Sequence, residues 1–264
     1  MKILIADGYN LLYRSRTGFY KGNNPIVFNF FRSFKALVEK FDADRVYFVL
    51  EGAPKKRKVL APEYKAQRVY SDHDDFYRQR KIIISMLEEM FPVFVTRHED
   101  NECDDVIGAL ATDIHRNDEC VILSSDTDFI QVLKQDCDRI KLYNPVKKSF
   151  VQAPDYNYVE WKALAGDKSD NIEGFERVGS KTAEKLIRSP ELLNEFLSHP
   201  GRLEKFEKNL ELIKFEDVDP HLIQYSSCEY DGDKVKSVFT QMEFSSMINE
   251  KYWQNFERVF NSGN

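Results

Sequence analysis

Apolar runs of strand length alternate with stretches of helical period as far as about residue 145. Residues 3–6, 46–50, 93–95, 121–123 and 140–143 are short and rich in branched and aromatic side chains, which predicts strands. Between them, 27–40, 75–90 and 104–116 repeat apolar positions near every 3.6 residues, which predicts helices. Such alternation predicts an α/β fold with a mostly parallel central sheet flanked by helices. In sheets of that kind, functional side chains gather beyond the carboxyl ends of the strands. Asp7 follows the first run, Glu51 the second, and Asp126 and Asp128 the fourth. Glu102, Asp104 and Asp105 open the helix after the third, so the acids are predicted to collect at one edge of the sheet.

From 51 to 71 neither period holds, and Gly52, Pro54 and Pro62 interrupt a basic run. That stretch is predicted to be a mobile loop or a partly helical excursion over the site. Beyond Pro154 the pattern turns helical, with a turn-rich stretch at 166–179 and a helix at 182–188. A tail from about Pro190 alternates charged and aromatic residues at helical spacing. The division implied is a core at 1–160, with its excursion at about 51–75, and a helical region at 161–264. The chain shows no internal repeat and no run of about 18 apolar residues that would span a membrane. The opening run ends at Asp7, too short for a signal-peptide core.

A net charge of −6 argues against a nucleic-acid partner until the charges are located. Lys55, Lys56, Arg57, Lys58, Lys65 and Arg68 crowd one segment, opposed only by Glu63, while the acids cluster elsewhere. A basic strip beside a pool of carboxylates suits a metal-dependent nuclease: the strip holds phosphates and the pool holds metals. Cys103, Cys120, Cys137 and Cys228 are widely spaced without a CxxC pair, which predicts reduced thiols.

Three acidic motifs stand out. In Glu102-Cys103-Asp104-Asp105-Val106-Ile107-Gly108, Glu102 and Asp105 share a helix face; alone, such acids are often only partners of the helix dipole. In Ser124-Ser125-Asp126-Thr127-Asp128-Phe129, two acids can aim at one point, although Asp126 alone would suit a helix N-cap. Gly166-Asp167-Lys168-Ser169-Asp170-Asn171-Ile172 is by itself an ordinary turn composition. Together with Asp7 they make a stronger statement. Like charges 4 Å apart cost ~4 kcal/mol at an effective dielectric near 20, so convergence requires bound cations or protonation. An oxygen-rich, histidine-free set suits Mg²⁺ or Mn²⁺, and paired ions of that kind cleave phosphodiesters. No Ser or Cys nucleophile with a plausible base is evident.

Asp7-Gly8-Tyr9-Asn10-Leu11-Leu12-Tyr13-Arg14, Pro62-Glu63-Tyr64-Lys65-Ala66-Gln67-Arg68, the Glu102 and Ser125 motifs and the stretch 166–183 occur in this order. Over roughly residues 1–190 the chain thereby resembles the 5′-nuclease (flap endonuclease) family, with its PIN-like core. That family includes the N-terminal domain of bacterial DNA polymerase I and stand-alone phage 5′-exonucleases. The resemblance implies a 5′-3′ exonuclease and flap endonuclease of DNA replication or repair that uses two Mg²⁺ ions, with Mn²⁺ as a substitute. It assigns Asp7, Glu102, Asp104 and Asp126 to one metal, Asp128, Asp167 and Asp170 to the second, and Asp105 between them. The excursion would be a helical arch passed by single-stranded 5′ ends. There Arg57 and Lys65 would contact the scissile phosphate and Tyr64 would stack on a base, while Arg14 is a further basic residue near the site. A Tyr beside a Pro turn also suits simple anchoring of the loop. Lys55, Lys56, Lys58 and Arg68 would add phosphate contacts.

Residues 174–183 resemble the family's helix-hairpin-helix-like motif, with Gly179, Ser180, Lys181 and Thr182 matching. Backbone N–H groups there would grip duplex phosphates without reading sequence, and K⁺ would bind the hairpin. The implied partners are DNA with a 5′ end or flap and its adjoining duplex, RNA–DNA hybrids, and a polymerase or single-strand binding protein in trans. The implied setting is a cytoplasmic monomer of a bacterial cell or phage-infected host.

Two positions depart from the family pattern. Glu51 stands where Asp is usual, so its ligation of metal, direct or through water, is left open. Arg177 stands where Gly is usual; if the turn needs a positive φ, either it is rebuilt or Arg177 adds a phosphate contact. Two other readings stay in play. A catalytically silent junction binder would have lost the second-cluster acids, whereas all three are present. A small PIN-type ribonuclease leaves the basic excursion and the hairpin without a purpose.

Overall fold

In a computed structural model, which describes residues 1–67, 74–133 and 138–261, seven strands form one sheet. They are β1 (Lys2–Asp7), β2 (Arg45–Val49), β3 (Phe94–Arg97), β4 (Glu119–Leu123), β5 (Ile140–Asn144), β6 (Ser149–Phe150) and β7 (Gln224–Ser226). Their order is β6-β5-β4-β1-β2-β3-β7. The inner five run parallel, while β6 and β7 lie antiparallel at the two edges. The predicted mostly parallel sheet is present. Because β2 and β4 flank β1 on opposite sides, the winding reverses at β1, and a crevice opens beyond its carboxyl end.

Alternation along the strands sorts the core into two layers. Leu4, Ala6, Phe48 and Leu123 face one way, under α2 (Pro25–Phe41), α4 (Asp74–Met90), α11 (Gly232–Gln241), α12 (Ser245–Ile248) and α13 (Glu250–Asn261). Ile3, Ile5, Ile122 and Leu142 face the other way, under α5 (Cys103–Ala109), α6 (Ile130–Leu133) and the segment holding Val218 and Ile223. Phe28, Phe30, Phe31 and Phe34 of α2 are each 0–1% exposed. Each such burial contributes about 1.5–3 kcal/mol, so α2 is fixed by packing rather than by propensity. Residues 224–261 return to the sheet and share the first of these cores.

A third core joins the segment just after α3 (Lys55–Leu60) to α7 (Tyr158–Ala165), α8 (Ser180–Ile187), α9 (Pro190–Leu197) and α10 (Arg202–Ile213). Of the two expectations for this excursion, a mobile loop or a partly helical one, its described part is partly helical, carrying α3. Ala61 and Tyr64, each 2% exposed, are built into that core, so the described part of the segment is docked. The helix predicted at 104–116 is regular only over Cys103–Ala109 and widens to a π-helical turn at Leu110–Ile114. Among the described residues, no helix is long and apolar enough to cross a membrane. Cys103, Cys120 and Cys228 are free thiols; Cys137 lies outside the described residues.

Candidate active site

β1 pairs with β4 through Ala6 and Leu123, so the residues that follow each strand emerge side by side. Asp7 caps α1 (Gly8–Ser15), accepting the Asn10 N–H at 3.0 Å, and takes a second bond from Ser124 Oγ at 2.7 Å. Gly8 makes this fit possible: a Cβ there would lie 2.5 Å from the Val49 carbonyl oxygen. Asp7, Glu51, Asp104 and Asp126 line one cleft of about 910 Å³, together with Arg14, Lys65, Arg80, Tyr9 and Tyr13. Burial, with Asp126 and Glu51 nearby, pushes the Asp7 carboxyl up to about 6 despite its two hydrogen bonds. Burial and then repulsion from Asp7, Asp126 and Glu51 hold Asp104 well above the usual carboxylate range. Glu51, raised chiefly by burial, accepts the Cys103 N–H at 3.3 Å.

The second acidic group is assembled from two distant segments. One carboxylate oxygen each from Asp128, Asp167 and Asp170 lies within 4.8 Å of the others. The loop carrying Asp167 and Asp170 is closed by paired backbone bonds between Asp167 and Ile172 and by the contact of two glycines. Gly166, at φ 81°, passes so near Gly174 that a Cβ would meet its nitrogen at 2.3 Å. Lys162 from α7 ion-pairs with both Asp128 and Asp167. Burial pushes Asp128 up to about 6 even with Lys162 opposing, whereas at Asp167 burial is overcome by Lys162 together with two hydrogen bonds from Ser169, and the carboxyl is lowered. Lys65 likewise pairs with Glu102 and lies 3.6 Å from Asp170.

Two ammonium groups therefore sit where the carboxylates converge, which is the electrostatic demand a divalent ion also meets. The donors are all oxygen, and those of Asp128, Asp167 and Asp170 lie within 4.8 Å of one another, within reach of one shared ion. This set fits hard divalent cations.

Other expected site residues lie elsewhere or take other partners. Arg57 does not stand free to meet a phosphate: it is 3% exposed. Its guanidinium donates to Glu102 at 2.9 Å, to both oxygens of Asp105 at 2.7 Å, and to the carbonyls of Leu212 and Lys214. Every direction of the fork is used. Asp105 is correspondingly turned from the cleft, since it also accepts the N–H groups of Glu102 and Glu216. Tyr64 does not present a face for a base either: its ring is buried, and its hydroxyl bridges Glu102 and Asp170. The anchoring role weighed for it is the one its contacts support.

Lys65 adopts a left-handed backbone at φ 54°, its N–H bonded to the Asp170 carbonyl. Gln67 reaches the carbonyls of Lys168 and Ser169, so this segment is stitched to the second acidic loop. Arg14 lines the cleft. Lys55, Lys56 and Lys58 are exposed, with Lys55 paired to Asp100; Arg68 lies outside the described residues.

Gly179 precedes α8, and Gly179, Ser180, Lys181 and Thr182 are all exposed at its N-terminus. Its N-cap residue, Gly179, has no side chain to cap that end. Arg177 sits at φ 63°, so the turn keeps its left-handed residue and Arg bears a strain of about 1 kcal/mol.

Sequence reasoning missed Lys162, whose signal is a single charge within the apolar run Val159-Glu160-Trp161-Lys162-Ala163-Leu164 once Glu160 is placed at the helix start. It also missed Cys103, Tyr9, Tyr13 and Arg80 as cleft residues.

Residues 2–162 match the family model described as the 5′-3′ exonuclease N-terminal resolvase-like domain, and residues 153–219 match its C-terminal SAM fold. The thermostable DNA polymerase I of Thermus thermophilus is 31% identical over 237 residues, covering 80% of this chain and 27% of that protein. The chain spans about a quarter to a third of the length of such polymerase relatives. A 5′-3′ exonuclease of Mycoplasmopsis pulmonis is 28% identical over 223 residues, covering 78% of this chain and 74% of that protein. Among solved structures, the bacteriophage T5 flap endonuclease in complex with DNA and metal ions has a TM-score of 0.67 at 19% identity. That match covers 98% of this chain and 99% of that one, and it establishes a shared fold. With well over half its length matched by the family model, the chain belongs to the 5′-3′ exonuclease family.

Proposed function

We propose that this chain is a structure-specific 5′ nuclease that hydrolyses DNA phosphodiesters near 5′ ends, flaps or junctions, using two magnesium ions or manganese in their place. The observation that carries the proposal is the meeting of two acidic groups from separate parts of the chain, with Lys65 and Lys162 between the carboxylates. Bound divalent ions supply an activated water and neutralise charge at the reacting phosphate. Asp7, Asp104 and Asp126 hold one side of the site and Asp128, Asp167 and Asp170 the other. Arg14 and Lys65 present positive charge along the cleft to the strand being cut. The exposed start of α8 holds the adjoining duplex by its phosphates, so junction shape rather than sequence is recognised. Magnesium as the working ion, action on RNA–DNA hybrids, K⁺ at the hairpin, a monomeric state and work beside a polymerase in the cytoplasm belong to the same proposal.

A 5′-labelled flap incubated with the chain should give short products in Mg²⁺ and none in excess EDTA, read by product length on a denaturing gel. Undiminished cleavage in chelator would remove the metal mechanism.

A further inference from the structure

One neutral side chain links the segments that carry the two acidic groups. Tyr64 extends its hydroxyl between them, 2.9 Å from Glu102 Oε2 and 3.0 Å from Asp170 Oδ2. Glu102 immediately precedes α5, the helix that brings Asp104 to the cleft, and Asp170 belongs with Asp128 and Asp167. Lys65, the next residue, reaches the same two carboxylates: its ammonium pairs with Glu102 and lies 3.6 Å from Asp170 Oδ2. Its backbone is left-handed at φ 54°, a conformation that persists in a non-glycine residue where surrounding contacts impose it. Such contacts are in place: the Lys65 N–H donates to the Asp170 carbonyl, and Asn171 Nδ2 donates to the Glu63 carbonyl at 2.8 Å.

These two neighbours answer a divalent ion differently. Lys65 is itself a cation, so an arriving ion competes with it for the same oxygens. The Tyr64 hydroxyl is neutral, and its ring, 2% exposed, is fixed in the core that holds Ala61, Leu164 and Ile172. It stays when the ammonium is displaced. A phenol has one proton and donates to one carboxylate at a time, while the ammonium, or the ion in its place, answers the other. Groups that hydrogen-bond the carboxylates of a metal site set where their oxygens point. We infer that Tyr64 is a positioning residue: through Glu102 and Asp170, its hydroxyl fixes the separation of the two acidic groups. It rests on the two-metal reading above and names a side chain that sets the site's geometry without touching ion or phosphate.

The test titrates Mn²⁺ without DNA into the parent, Tyr64→Phe, Asp170→Asn and the double variant. Free Mn²⁺ is read by electron paramagnetic resonance, and each protein is also melted in EDTA. Phe keeps the buried ring and removes only the bridge. Tyr64→Phe should keep two sites but bind the weaker ion roughly ten- to a hundredfold less tightly. Its melting temperature in EDTA should stay within about 5 °C of the parent's. Flap cleavage by this variant should fall at low Mn²⁺ and recover at saturating Mn²⁺. In the double variant the losses should fall short of their sum, because the hydroxyl acts through that carboxylate. Parent-like Mn²⁺ affinity in Tyr64→Phe would reduce the hydroxyl to an anchor of the fold and overturn the inference. So would losses that add in full, or a far lower melting temperature, which makes lost affinity a loss of fold. Those outcomes leave the nuclease reading standing as long as the parent binds Mn²⁺ and cuts the flap. A parent that binds no Mn²⁺ and cuts nothing overturns both.

Discussion

Replacing Asp128 with Asn is expected to lower single-turnover cleavage of a flap in Mg²⁺ by roughly a hundredfold or more, with binding in Ca²⁺ changed less than about threefold. Asp128 is the member of the second acidic group delivered by the strand β4 segment; Asp167 and Asp170 come from the loop after α7. Asn keeps the shape and one neutral oxygen, but removes a charge from the group proposed to hold cations. Charge stabilisation by such ions contributes several kcal/mol at the transition state, and each 1.36 kcal/mol is tenfold in rate. In the proposed reading duplex binding relies instead on the exposed start of α8 and on Arg14 and Lys65, whereas the cation paired with Asp128 is Lys162. Single-turnover kinetics and fluorescence anisotropy on one substrate separate the two effects. Turnover like the parent's would remove Asp128 from the metal site.

Arg57→Met is expected to act on stability before it acts on chemistry. The guanidinium pairs with Asp105 and, beside Lys65, with Glu102, each 1–2% exposed, and it also satisfies two carbonyls at the end of α10. Removing the guanidinium leaves the buried Asp105 without its ion pair, at a cost of about 3–5 kcal/mol. For a chain of this size that lowers the melting temperature by roughly 10 °C. Thermal denaturation followed by circular dichroism reads it directly. A parent-like melting temperature with slowed cleavage would instead restore the phosphate-contact role that the sequence suggests for Arg57.

Arg57 also shows where sequence reading reaches its limit. Within Lys55-Lys56-Arg57-Lys58 the four cations look alike, and all read as a solvated, phosphate-seeking strip. Helix α3 sorts them: 55, 56 and 58 remain exposed, while 57 points at α10 and at acids more than forty residues ahead. Only tertiary contact decides that. The acids after β1 and β4 were legible because a parallel sheet delivers its strand ends to one edge, whatever the helices do. Strand β7 was not legible: Gln224, Tyr225 and Ser226 carry no apolar run, and the strand exists through backbone pairing with β3. Lys162 was hidden for a related reason. Its meaning depends on α7 standing beside the Asp128 turn, which no local period encodes.

The most direct measurement is anomalous scattering from crystals of the chain soaked in Mn²⁺. Two peaks are predicted, one within about 2.5 Å of carboxylate oxygens of Asp7, Asp104 or Asp126, the other equally near Asp128, Asp167 and Asp170, with the Lys162 ammonium displaced. A map with no manganese between these carboxylates, or with the ions bound elsewhere while cleavage proceeds, would contradict the account.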